Sequence, residues 1–90
     1  MHPSWTSLSN NISDPRLKAD VESAVHVGLA QRQNPEVRIC QREDIFIISV
    51  TVAGNTWQSK DLPLKDRAPG TLEFEIIRPL QRWARAGFPA

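Results

Sequence analysis

A single cysteine, Cys40, excludes an internal disulfide, and with only two histidines, His2 and His26, the chain has no CxxC, HxxxH or other paired spacing to hold a structural zinc. Small secreted domains usually carry several cysteines, so the expected compartment is the reducing cytoplasm. Four glycines, Gly28, Gly54, Gly70 and Gly87, lie too far apart for a GxGxxG or Walker-type loop, which removes the usual seat of a nucleotide phosphate. No metal and no cofactor are expected. No apolar run reaches the roughly 18 residues of a membrane span. The stretch Met1 to Leu8 lacks the basic segment and apolar run of an export signal, so no membrane partner is expected either. Charge of one sign is also missing: eleven Lys and Arg against ten Asp and Glu give a formal charge of +1, too small to steer the molecule toward a polyanion.

What remains is a 90-residue chain, 40% hydrophobic, long enough for one core and too short to divide. Residues 1–13 are rich in Ser and Asn, which bond locally to the backbone, and read as an irregular arm; residues 14–90 read as a single α+β domain. Asp14-Pro15 opens a helix, since a carboxylate caps free N–H groups and proline loses nothing at the first helical position. Leu17, Val21, Ala24, Val25, Gly28 and Leu29 form one stripe of that helix, and Asn34-Pro35 closes it. Val37 to Arg42 alternates as a half-buried strand, Glu43-Asp44 turns the chain, and Ile45 to Val52 reads as a central strand covered from two sides. Gly54-Asn55 supplies a hairpin turn into a third strand from Thr56 to about Leu62. The punctuated segment Lys60 to Gly70 then breaks the sheet.

Residues 71–77 fit two patterns. Alternation of Leu72, Phe74 and Ile76 against Thr71, Glu73 and Glu75 favours a strand followed by a helix from about Pro79 to Ala86; helical spacing of Leu72, Ile76, Leu80, Trp83 and Ala84 favours a helix through both. The strand reading is preferred, because a continuous helix would enclose Pro79 at a cost of about 3 kcal/mol. The expected fold is therefore α+β: an N-terminal helix, a three- to four-stranded antiparallel sheet and a short C-terminal helix. The expected core holds Leu17, Val21, Val25, Leu29, Ile39, Phe46, Ile48, Val50, Leu72, Phe74, Ile76 and Trp83.

The order helix, three strands, helix resembles that of double-stranded-RNA-binding domains in element order. Where that family carries a Lys-rich start to its second helix, this chain reads Thr71-Leu72-Glu73-Phe74-Glu75, and no residue role is transferred. The stretch Asp14 to Val52 also looks like part of small periplasmic lipid-binding modules, lacking their closing strand.

Side-chain catalysis needs cooperating groups. Glu22 and His26 stand one helical turn apart, which reads as a pair supporting the helix; Cys40, flanked by Arg38 and Arg42 on one strand face, reads as a packed small residue; Glu73 and Glu75 read as acids on a solvated strand face. No enzyme is expected. The feature that points to binding is a ridge of Arg78, Arg82 and Arg85 along one side of the last helix, whose guanidinium forks match carboxylate or phosphate. Trp5 and Trp57 add indoles that can anchor an interface. The expected function is a non-catalytic protein-interaction module, an adaptor or inhibitor of a larger assembly, with a protein as partner. The alternative is a small nucleic-acid-binding domain that meets phosphates through the same arginines while Trp57 stacks on a base. A free sheet edge also permits a homodimer.

Overall fold

In the computed structural model the described residues are 7–29 and 35–89. The order is β1 (Ser7–Asn10), α1 (Pro15–Leu29), β2 (Glu36–Arg42), β3 (Ile45–Val52), β4 (Asn55–Gln58), β5 (Leu62–Pro63), a π-helical turn (Glu73–Ile77) and α2 (Arg78–Arg85). The sheet runs β1-β2-β3-β4, with β5 added to β3, and the helices cover one face of it, an α+β architecture. It is mixed rather than wholly antiparallel, because β1 runs parallel to β2 while the remaining pairs are antiparallel.

The strand Ser7–Asn10 corrects the reading of residues 1–13 as irregular throughout. Its polar residues are held from outside. Leu8 pairs with Val37, the Asn10 side chain donates to the Glu22 carboxylate at 2.9 Å, and the Asn11 side chain accepts the Gln41 backbone N–H at 2.6 Å. The Ser/Asn composition still tells, since the Asn10 and Asn11 side chains accept backbone N–H groups and Ser13 donates to Gln41. Asp14 caps α1 as its sequence demands, its carboxylate accepting the Arg16 N–H at 2.9 Å. The helix buries Val21, Ala24, Val25, Gly28 and Leu29. Its expected end at Asn34 lies outside the described residues.

Strand β3 alternates strictly between half-buried and buried, with Phe46, Ile48, Val50 and Val52 on the helix side. Among the described residues the helices cover only this face, where cover from two sides was expected. Ile45 and Ile47 stand on the open face, shielded only in part by neighbouring strands. Both expected turns occur. Glu43 takes a positive φ at one, and the other is built on Ala53-Gly54, one residue earlier than expected, with φ of 53° and 84°. Two successive left-handed residues match the right-handed twist of the flanking strands.

Between β4 and β5 the ladder on β3 is continued by one side chain. Ser59 donates its N–H to the Ile48 carbonyl at 2.9 Å, and its buried hydroxyl accepts the Ile48 N–H at 2.9 Å. Ser59→Ala would leave that N–H unpaired in the core, so a loss of about 1–2 kcal/mol is expected. Urea denaturation checks it, and an unchanged midpoint with an unchanged slope would contradict the assignment.

Residues 71–77 overturn the preferred strand. The chain is helical from Thr71 to Arg85, which places Ile76, Leu80 and Trp83 in the core with Leu72 packed half-buried against it. The penalty for an internal proline is avoided by the widened turn. At the end of the Glu73–Ile77 turn the Arg78 N–H bonds back five residues to the Glu73 carbonyl, so the register has already shifted when Pro79, which lacks a donor, enters. Two consequences correct the sequence reading. Phe74 is not a core residue but is 64% exposed, and Glu73 and Glu75 share no strand face, for each pairs with a different arginine. Ile12, Val37, Val52, Leu62 and Leu80 join the core instead.

The end of α2 is locked. Phe88 N–H reaches the Trp83 carbonyl at 3.0 Å and Gly87 N–H the Ala84 carbonyl at 3.1 Å, with Gly87 at φ 86°, the Schellman pattern. The Phe88 ring meets Trp83 edge-on at 5.0 Å, the Trp83 indole donates to the Pro89 carbonyl, and Asn55 donates to the Phe88 carbonyl from the hairpin.

Candidate interaction surface

The arginine ridge is carried by α2, whose opposite side holds Leu80 and Trp83 in the core. Burial of that side turns Arg78, Arg82 and Arg85 outward, and all three are exposed. They do not form three equivalent free cations. Arg78 Nη2 lies 2.9 Å from a Glu73 carboxylate oxygen, and the Arg78 guanidinium stacks over the Phe74 ring at 4.7 Å from its centroid. Arg82 and Arg85 make no ion pair or hydrogen bond through their side chains among the described residues. Because the Arg78 pair is more than half exposed, it contributes little stability, but the Glu73 carboxylate offsets the charge that position offers a ligand.

Two open depressions meet at Arg82. One, of about 580 Å³, lies along the ridge and is lined by Arg78, Arg82 and Arg85 together with Glu73, Val27 and Ile77. The other, also about 580 Å³, lies between β4 and the π-helical turn and is lined by Trp57, Leu62, Pro63, Phe74, Pro79 and Arg82. Trp57 is half-buried and packs against the core beside Val50, which leaves part of its indole facing this depression. Arg82 and Trp57, predicted from distant segments, are thus brought to one surface. Trp5 lies outside the described residues.

Phe74 and Pro79 are members of this surface that the sequence reading missed. The signal was present in the helical spacing of Leu72, Ile76 and Leu80, which leaves Phe74 off the core stripe; the alternation of residues 72–76 concealed it. Val27, 48% exposed on α1, is a further apolar member.

The remaining candidates are dispersed. Cys40 is half-buried on the open sheet face opposite Ile47. Glu75 is paired with Arg67, which also donates to Thr71 and to the Pro63 carbonyl at 2.7 Å and so ties the segment 63–71 to the helix. Glu22 is occupied by Asn10. Among the described residues no three His, Cys, Asp or Glu side chains gather where a metal could sit, and no helix is long and apolar enough to cross a membrane. Compared with family models, with curated proteins and with solved structures, the chain matches none of them.

Proposed function

We propose that this chain is a non-catalytic protein-interaction module, an adaptor or inhibitor that binds a larger protein assembly through the surface centred on Arg82. The observation that carries the reading is the meeting of an aromatic depression, with Trp57 and an exposed Phe74, and an arginine depression at one shared, unpaired guanidinium. Tryptophan and arginine are among the residues that most often dominate protein interfaces, and an exposed aromatic beside a depression supplies apolar area that a partner can bury. A nucleic-acid role through the same arginines is less well supported. Glu73 sits in the arginine depression, it occupies Arg78, and the net charge is only +1.

The test is capture from the native extract by the immobilised chain, with and without nuclease, compared with Arg82→Glu. Reversing an exposed charge that has no intramolecular partner is expected to shift melting by no more than about 4 °C. Capture of the partner is expected to fall at least about tenfold, the equivalent of 1.4 kcal/mol. Capture that survives nuclease and is lost in the variant supports the reading. Capture abolished by nuclease, or falling with salt as steeply as phosphate contacts require, assigns the surface to nucleic acid. Capture indifferent to Arg82→Glu removes the surface from consideration.

A further inference from the structure

Resting on the reading of this surface as a protein interface, we infer that its occupant is an acidic peptide segment that carries a bulky apolar side chain beside its carboxylates. The inference follows from how charge is distributed around the two depressions. Lys60 and Asp61 on the rim offset each other, Glu73 occupies Arg78, and Glu75 is taken by Arg67. The uncompensated charge is therefore that of Arg82 and Arg85, three residues apart on one helix and roughly 4.5 Å apart along its axis. Two guanidinium forks so close on one helix suit two carboxylates of a chain laid along α2. Arg82 also borders the depression of Trp57, Phe74 and Pro79, so a segment whose carboxylates meet Arg82 and Arg85 has its next side chain beside aromatic and proline carbon. A polar side chain there would lose water without gaining a partner, whereas an apolar one would cover the exposed Phe74 ring.

Phe74 is already held for this task. The Arg78 guanidinium stacked on its ring, and the pairing of that same guanidinium with Glu73, hold the ring at the depression's rim. A side chain restrained before binding loses less entropy when the partner arrives. Glu73 contributes selectivity as well as position, because by occupying Arg78 it denies a uniform polyanion a continuous row of cations along the ridge.

The experiment is selection of phage-displayed random dodecapeptides on the full chain, followed by fluorescence anisotropy with the labelled winners and with oligo-dT of fifteen nucleotides. Selected peptides are expected to place two or more Asp or Glu within four residues of Leu, Ile, Phe or Trp. Their affinity is expected to fall at least tenfold in Arg82→Glu/Arg85→Glu and at least fivefold in Phe74→Ala, while exchange of Glu for Lys in the peptide abolishes binding and oligo-dT does not compete. Both variants alter exposed side chains, and their circular dichroism and melting confirm that any loss is not unfolding. Selection of neutral or basic peptides, binding that survives the double arginine variant, or competition by oligo-dT overturns the inference. Should the native extract still yield a protein captured through Arg82 when the selected peptides are not acidic, the interaction role stands and the acidic character of the partner is what fails.

Discussion

Phe46→Ala is expected to remove about 3–5 kcal/mol. A 90-residue domain has roughly 5–13 kcal/mol to lose, so the variant should melt some 15 °C or more below the parent, or be unfolded at 37 °C. The reason lies in position as well as size. Phe46 is fully buried on the central strand, faces Gln41 of β2 and Leu62 of β5 in the register, and underlies the Arg67 guanidinium at 5.5 Å from its ring centroid. Its removal opens a cavity where three parts of the structure meet: the β2–β3 pair, the short β5, and the loop that Arg67 ties to Glu75, Thr71 and Pro63. A cavity bounded by a fixed sheet collapses poorly, which places the cost toward the upper end. Thermal denaturation followed by far-ultraviolet circular dichroism measures it, and a drop below about 5 °C would show that the packing around the ring is loose.

Gly28→Val is expected to cost about 3 kcal/mol, and Gly28→Ala about 1 kcal/mol, losses where helix propensity alone would give gains. Alanine for glycine inside a helix ordinarily gains up to about 1 kcal/mol. Here a Cβ on residue 28 would stand 2.7 Å from Leu80 Cβ and 3.2 Å from the Ile77 carbonyl oxygen. Neither is the free end of a flexible side chain, so α1 and α2 must move apart, and overpacking of this kind costs typically 1–3 kcal/mol. For alanine the two effects largely cancel and leave a modest loss. Valine adds two methyl groups to the same clash and recovers little of the propensity, so packing wins outright. The Gly28 series also bears on function, since α1 sets the height of α2, and with it the depression between Val27 and the arginines. In the proposed reading, Gly28→Ala weakens peptide binding more than its small stability loss accounts for. Melting curves and anisotropy on the same samples separate the two effects; a Gly28→Ala variant more stable than the parent would mean that the helices yield readily.

Much of the fold was legible because short-range chemistry and long-range packing agree there. Asp14-Pro15 starts α1 wherever it is placed, the stripe from Leu17 to Leu29 must be buried by something, and β-branched residues from Ile45 to Val52 suit only a strand. The register of the β2–β3 hairpin followed from the Glu43-Asp44 turn. Legibility failed where two periodicities overlay one segment. Residues 72–76 satisfy both a strand and a helix, and the apparent cost of Pro79 tipped the balance toward the strand, a cost that the π-helical turn removes. Ser7–Asn10 was unreadable for a different reason. Nothing in three polar residues around a lone Leu8 favours a strand until β2 offers its edge and Asn10 finds Glu22 across the helix face.

The candidate surface divides in the same way. That Arg78, Arg82 and Arg85 lie on one side of a helix is a matter of spacing at 3.6 residues per turn, which the order of residues alone determines. Which of them is free to bind was decided by tertiary structure, because the widened turn sets Glu73 against Arg78 and leaves Arg82 and Arg85 unpaired. The meeting of Trp57 with Phe74, Pro79 and Arg82 was likewise a product of packing. Local spacing specifies which side chains share a face of one element. Only the burial of Ile76, Leu80 and Trp83 against α1 and the sheet brings a strand residue and a helix residue, distant in the chain, to the rim of one depression.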